Sequence, residues 1–77
     1  MAKEKIKKQY LNGYERILKI DQLIASGKYP SVKELAQATE ASIPTINRDL
    51  NNLRMKFGAE DILQYDRNKK GFYYTRH

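Results

Sequence analysis

The chain has no cysteine, which excludes disulfides, thiolate metal sites and thiol chemistry. Its core must hold without staples, and 77 residues leave a thin margin for that. No apolar run approaches the ~18 residues of a membrane span. The basic N-terminus, Met1 to Lys8, lacks the apolar stretch of a secretory signal, so the cytoplasm is the default compartment. Histidine occurs once, at His77. The acidic residues form no paired arrangement, and there is no glycine-rich phosphate loop. An enzyme is therefore not expected, nor a cofactor, nor a bound metal.

What the chain does have is an excess of positive charge, +6 in all. Residues 1–8 carry +3 and residues 65–77 another +3, while the seven basic and seven acidic side chains of 9–64 cancel. Two basic ends flanking a neutral body suit a polyanion, because phosphate contacts supply most non-specific affinity. Solubility alone is the competing explanation.

Apolar spacing defines three helices. Tyr14, Ile17, Leu18, Ile20, Leu23, Ile24 and Ala25 form one broad face, with Glu15, Arg16, Lys19 and Gln22 opposite. Gly13 weakens helix continuity before it, and Ser26-Gly27 ends it. Residues 1–12 are expected to be a basic arm or an extension of this helix, with Ile6, Tyr10 and Leu11 as anchors. Asp21 falls on the apolar face, where an unpaired carboxylate would be costly, so a basic partner is expected from Arg54 or Arg48. Tyr29-Pro30 reads as an extended link. Ser31-Val-Lys-Glu34 is a capping box opening the second helix, which buries Val32, Leu35, Ala36 and Thr39. Glu40-Ala41 makes a short turn. Ser42 caps the third helix and Pro44 sits in its first turn. Ile46, Leu50, Leu53 and Phe57 face the core, and Gly58 stops the helix. Ile62–Asp66 and Phe72–Thr75 are strand-like, joined by the basic turn Arg67-Asn-Lys-Lys-Gly71. Tyr73 and Tyr74 alternate on the last strand, so one is expected in the core and the other outside.

Two helices separated by a tight turn have the shape of a helix-turn-helix, whose second helix enters the major groove of duplex DNA. The expected fold is mainly α with a small β-hairpin: a winged helix-turn-helix of three helices plus a two-stranded wing, spanning 13–77. Its recognition helix is about 43–57 and its basic wing 66–71.

The residues Tyr14-Glu-Arg-Ile-Leu-Lys-Ile-Asp21, Tyr29-Pro-Ser31, Glu34-Leu-Ala36, Ser42-x-x-Thr45-Ile46-x-Arg48-Asp49-Leu50-x-x-Leu53-Arg54 and Gly71-Phe-Tyr-Tyr74 carry a resemblance. Together they resemble the N-terminal winged helix of WYL-domain bacterial transcriptional regulators, and the Thr-Ile-x-Arg-Asp-Leu signature is shared with DeoR-type regulators. The resemblance covers about residues 13–75. It implies sequence-specific binding of double-stranded DNA, usually as a homodimer, with an effector domain after the winged helix. The chain is accordingly expected to be the N-terminal domain of a longer regulator, with any homodimer formed through a domain not in this sequence; the alternative is a winged helix that acts alone. Two positions depart from the pattern. Glu40 stands where the turn commonly has glycine, and Pro44 and Asn47 stand where relatives often carry arginine or another large residue.

The expected DNA-binding residues follow from the polar side of the third helix and from the basic wing. Arg48 is the leading base reader, because arginine pairs bidentately with guanine. Asn47, Asn51 and Asn52 can do so with adenine, and Thr45 can meet a thymine methyl or a phosphate. Pro44 lies on the same face. Ser31, Lys33 and Ser42, at helix N-termini, suit the phosphate backbone. Arg67, Lys69 and Lys70 would lie over phosphates or a minor groove. Arg48 could instead form an ion pair with Asp21 or at Asp49, the serines could only cap, and the wing could be a solvated loop. The rival to DNA readout is a winged helix that binds protein or RNA. Met55 is the main apolar exception on the face concerned.

Overall fold

The computed structural model describes residues 12–60 and 62–75. Residues 1–11, and with them the expected basic arm and its anchors, lie outside the described residues. The element order is α1 (Gly13–Ala25), α2 (Val32–Thr39), α3 (Ile43–Lys56), β1 (Leu63–Asp66) and β2 (Gly71–Tyr74). This is a winged helix-turn-helix. Among the described residues no helix is long and apolar enough to cross a membrane.

Local chemistry sets the helix starts. Asn12 opens α1 with a capping box: its side chain accepts the Glu15 amide at 2.8 Å, and the Glu15 carboxylate accepts the Asn12 amide at 3.3 Å. The helix thus begins at Gly13 itself. Ser31 and Glu34 form the same reciprocal pair at α2, at 3.0 and 2.9 Å, as the sequence predicts. Glu40 takes the left-handed conformation at φ 56°, and the Ala41 amide donates back to the Ala36 carbonyl at 3.0 Å. The turn keeps the geometry that glycine usually provides and strains a glutamate to do so. Ser42 then caps α3, with Pro44 in the first turn.

Eleven residues form one apolar core: Ile17, Ile20 and Ile24 of α1, Leu35 and Ala36 of α2, Ile46, Leu50 and Leu53 of α3, then Ala59, Leu63 and Phe72. Each buried leucine or isoleucine contributes about 1.5–3 kcal/mol relative to exposure. Phe57, expected in this core, is 52% exposed. The helix ends at Lys56, so helical spacing no longer directs Phe57, and the Ala59 amide turns back to the Leu53 carbonyl at 2.9 Å. Ala59 takes the inward place. The broad apolar face of α1 is likewise only partly covered. Tyr14 and Leu18 are exposed and, with Phe57 and Tyr74, line an open groove.

The wing is an antiparallel pair with Leu63 opposite Tyr74 and Tyr65 opposite Phe72. The Tyr65 and Phe72 rings meet edge to face, 5.1 Å between centroids. Asp66 shapes the turn by accepting the Asn68 and Lys69 amides at 2.8 and 2.9 Å. Tyr73 and Tyr74 do not split into one core and one exposed ring; both are half-buried. Each finds a partner beyond the strand. Tyr73 lies against Tyr29, 5.4 Å between centroids, and the Tyr74 hydroxyl donates to Asp21 at 2.5 Å.

That last bond corrects the expectation for Asp21, whose partner is neither Arg54 nor Arg48 but a tyrosine. Burial, and then the bond to Asp21, push the Tyr74 phenol above its ordinary range. As pH rises past about 10, the unfolded chain gives up this proton before the folded one does. The contribution is therefore present below that pH and lost above it. Tyr74→Phe is expected to flatten the alkaline fall in stability, read as urea midpoints at about pH 9 and about pH 11.

Tyr29 also departs from expectation. It is not extended but left-handed, at φ 55°. Proline denies its predecessor the right-handed helical region, and both alternatives satisfy that. The wing selects the left-handed one: the Phe72 amide donates to the Pro30 carbonyl at 2.8 Å, and the backbone of Tyr29 lies directly on Gly71.

Candidate nucleic-acid interface

The outward side of α3 carries Pro44, Asn47, Arg48 and Asn51, all exposed, with Thr45 and Asn52 half-buried beside them. Ser42 is exposed at the leading end. Its hydroxyl accepts the Thr45 amide at 3.2 Å and donates to the Thr45 hydroxyl at 2.9 Å. The Ser42 hydroxyl thus acts first as a cap, and the Thr45 hydroxyl is engaged by it. Basic Arg54 and Lys56 occupy the last turn, where they complement the negative end of the helix dipole.

What fixes this face is a pairing that local sequence does not show, between Asp49 and Arg16. Asp49 is 2% exposed, on the inward side of α3 next to Arg48. Arg16 of α1 reaches it with two parallel donors. Nε bonds to one carboxylate oxygen and Nη2 to the other, the latter at 3.0 Å. Arg16 itself is 19% exposed. Its bond to Asp49 outweighs the burial that opposes it and raises the Arg16 pKa further. A bidentate fork fixes orientation as well as distance. It therefore sets the rotation of α3 against α1, and with it the direction of the outward side chains. Among the described residues no carboxylate pairs with Arg48: Asp49 belongs to Arg16, and Asp21 to Tyr74.

The remaining candidates lie on two other elements. Ser31 is half-buried with its hydroxyl used by the Glu34 amide, and Lys33 is exposed on the first turn of α2. Arg67, Lys69 and Lys70 are exposed in the wing turn, with Lys70 left-handed at φ 56°. Lys69 does not extend freely, since its ammonium sits 5.1 Å from the centre of the Tyr29 ring.

Comparison with known protein families matches residues 16–58 to the DeoR-like helix-turn-helix domain. The match runs from Arg16 through all of α2 and α3 to Gly58, more than half of the chain. The chain belongs to the DeoR-like helix-turn-helix family. No curated protein and no solved structure matches it. For this DeoR-like domain, the family assigns the class of partner, DNA bound by a regulator. Both ends of the Arg16–Asp49 fork fall inside the matched segment, whereas the wing lies beyond it and is supplied by the structure.

One more residue of this DeoR-like domain is exposed at the leading end of the outward side of α3. Ile43, the first residue of α3, is 46% exposed. It precedes Ile46 by three and Leu50 by seven, so spacing alone would assign it to the core. The available signal was its place directly after the cap, where the helix has only begun.

Proposed function

We propose that this domain reads duplex DNA sequence-specifically, as the DNA-binding domain of a bacterial transcriptional regulator of the WYL type. In this reading α3 lies in the major groove. Arg48 is the leading base reader, with Asn47, Asn51 and Asn52 beside it. Ser31, Lys33, Ser42, Pro44 and Thr45 line the approach, and Arg67, Lys69 and Lys70 of the wing lie along the backbone or the minor groove. The observation that carries the proposal is the exposed row of Asn47, Arg48 and Asn51 on a helix locked from behind by Arg16 and Asp49. Side chains that hydrogen-bond base edges, held in a fixed direction, are what direct readout requires. The WYL assignment rests on Thr45-Ile46-x-Arg48-Asp49-Leu50 together with the closing Gly71-Phe-Tyr-Tyr strand.

The test is selection from a randomised duplex library at near-physiological salt. An enriched motif supports the proposal, and an inverted repeat in it reports dimeric binding. Binding without enrichment that fades as salt rises overturns the proposal, leaving phosphate attraction alone. On the selected site, Arg48→Ala should cost about 1–3 kcal/mol and relax one base position. Lys69→Ala should weaken all sequences alike and lower the salt slope by roughly 1. Equal loss on every sequence from Arg48→Ala would make it a phosphate contact instead.

A further inference from the structure

The first turn of α3 presents an apolar tip ahead of its polar face. Ile43 and Pro44 are both exposed there. Pro44 has no amide hydrogen to offer, and the flanking Ser42 and Thr45 hydroxyls are bonded to each other. Hydrogen-bonding reach resumes only with Asn47 and Arg48, a turn later. In helix-turn-helix complexes the N-terminal residues of the recognition helix are those that meet the base edges. The apolar feature a major groove offers at its base edges is the 5-methyl group of thymine.

We propose that Ile43 is a specificity residue that packs its side chain on a thymine methyl. The inference rests on the sequence-specific reading above and adds to it a base and a chemistry. A β-branched side chain has one strongly preferred rotamer in a helix, so Ile43 presents the same surface before and after binding. Asn47 follows at i+4, on the same side of the helix. The thymine therefore lies beside the base pair that Asn47 reads.

Thymine-to-uracil replacement in the selected site removes the methyl group and nothing else. Each thymine is changed in turn, and affinity is measured for the wild-type domain and for Ile43→Ala. One uracil substitution is expected to weaken the wild type about fourfold, the worth of one buried methyl-sized group. The same substitution is expected to leave Ile43→Ala unaffected. Asn47→Ala should relax preference at a neighbouring base pair. Ile43 is exposed, so thermal melting of Ile43→Ala should match the wild type, which separates readout from folding.

Three outcomes overturn the proposal: a selected motif with no thymine, uracil substitutions that are all neutral, or a sensitive thymine that stays equally sensitive in Ile43→Ala. In each of them the enriched motif still stands, so sequence-specific binding survives. Failure to enrich any motif removes both readings together.

Discussion

Replacing Arg16 by methionine is expected to destabilise the domain by about 3–5 kcal/mol, the usual loss when one member of a buried ion pair is removed. The size follows from what is left behind. Asp49 is almost fully buried and would lose both donors that satisfy its oxygens, whereas the Arg16 guanidinium reaches the surface. The reverse change, Asp49→Ala, should cost less, because the freed arginine can turn toward water. Native domains hold only about 5–15 kcal/mol in total, so Arg16→Met could unfold much of the population. The double variant Arg16→Met, Asp49→Leu should recover most of the loss, since an apolar pair of similar volume often replaces a buried salt bridge without penalty. Arg16→Lys should not rescue, because an ammonium lacks the two parallel donors. Urea titration of these variants, together with Asp49→Leu alone to close the cycle, decides the matter. Strictly additive effects at positions 16 and 49 would show that the fork is not a coupled unit.

Gly71→Ala is expected to cost about 3 kcal/mol, or to free the wing from the helices. Here the constraint is space rather than backbone conformation. A Cβ at position 71 would come 1.7 Å from the Tyr29 carbonyl oxygen and 2.3 Å from its carbon. Both are backbone atoms, so no side chain can rotate away to make room. The strands must separate from the α1–α2 link, and the Phe72 amide then loses the Pro30 carbonyl. Hydrogen exchange should show the Phe72 amide losing protection. If the wing lies on DNA as proposed, affinity should also fall, with a shallower salt dependence. An unchanged melting curve with Phe72 still protected would mean that the wing does not lie this close.

Features whose cause is local could be read from the sequence. The Ser31–Glu34 box, the Ser42 cap, Pro44 and the stop at Gly58 each need only a few neighbouring residues, and each stands where it was expected. So does the hairpin, because a polar turn between two β-branched and aromatic runs has few alternatives. Features that depend on distant partners could not be read. Arg16 and Asp49 are 33 residues apart, and helical spacing correctly put Arg16 beside the polar residues without showing that it reaches over the edge of the core. Asp21 was recognised as needing a partner, but charge favoured an arginine and the fold supplied a phenol 53 residues away. Phe57 obeyed the period of a helix that had already ended. On the candidate interface, the exposure of Asn47, Arg48 and Asn51 is legible from periodicity, whereas that of Ile43 is hidden by the same periodicity.

The link at Tyr29 and Pro30 joins two parts of the molecule that would otherwise be separate tools. Its carbonyl holds β2, its ring lies against Tyr73 and carries Lys69, and its next residue begins the cap of α2. A wing attached in this way behaves as the fixed jaw of a caliper, at a set span from α3. On the proposed reading, a wing held this way would not open or close to suit a duplex, and the duplex would do the adjusting. Sequences that bring the contacted grooves to that span with little bending would be favoured, even at base pairs that no side chain touches.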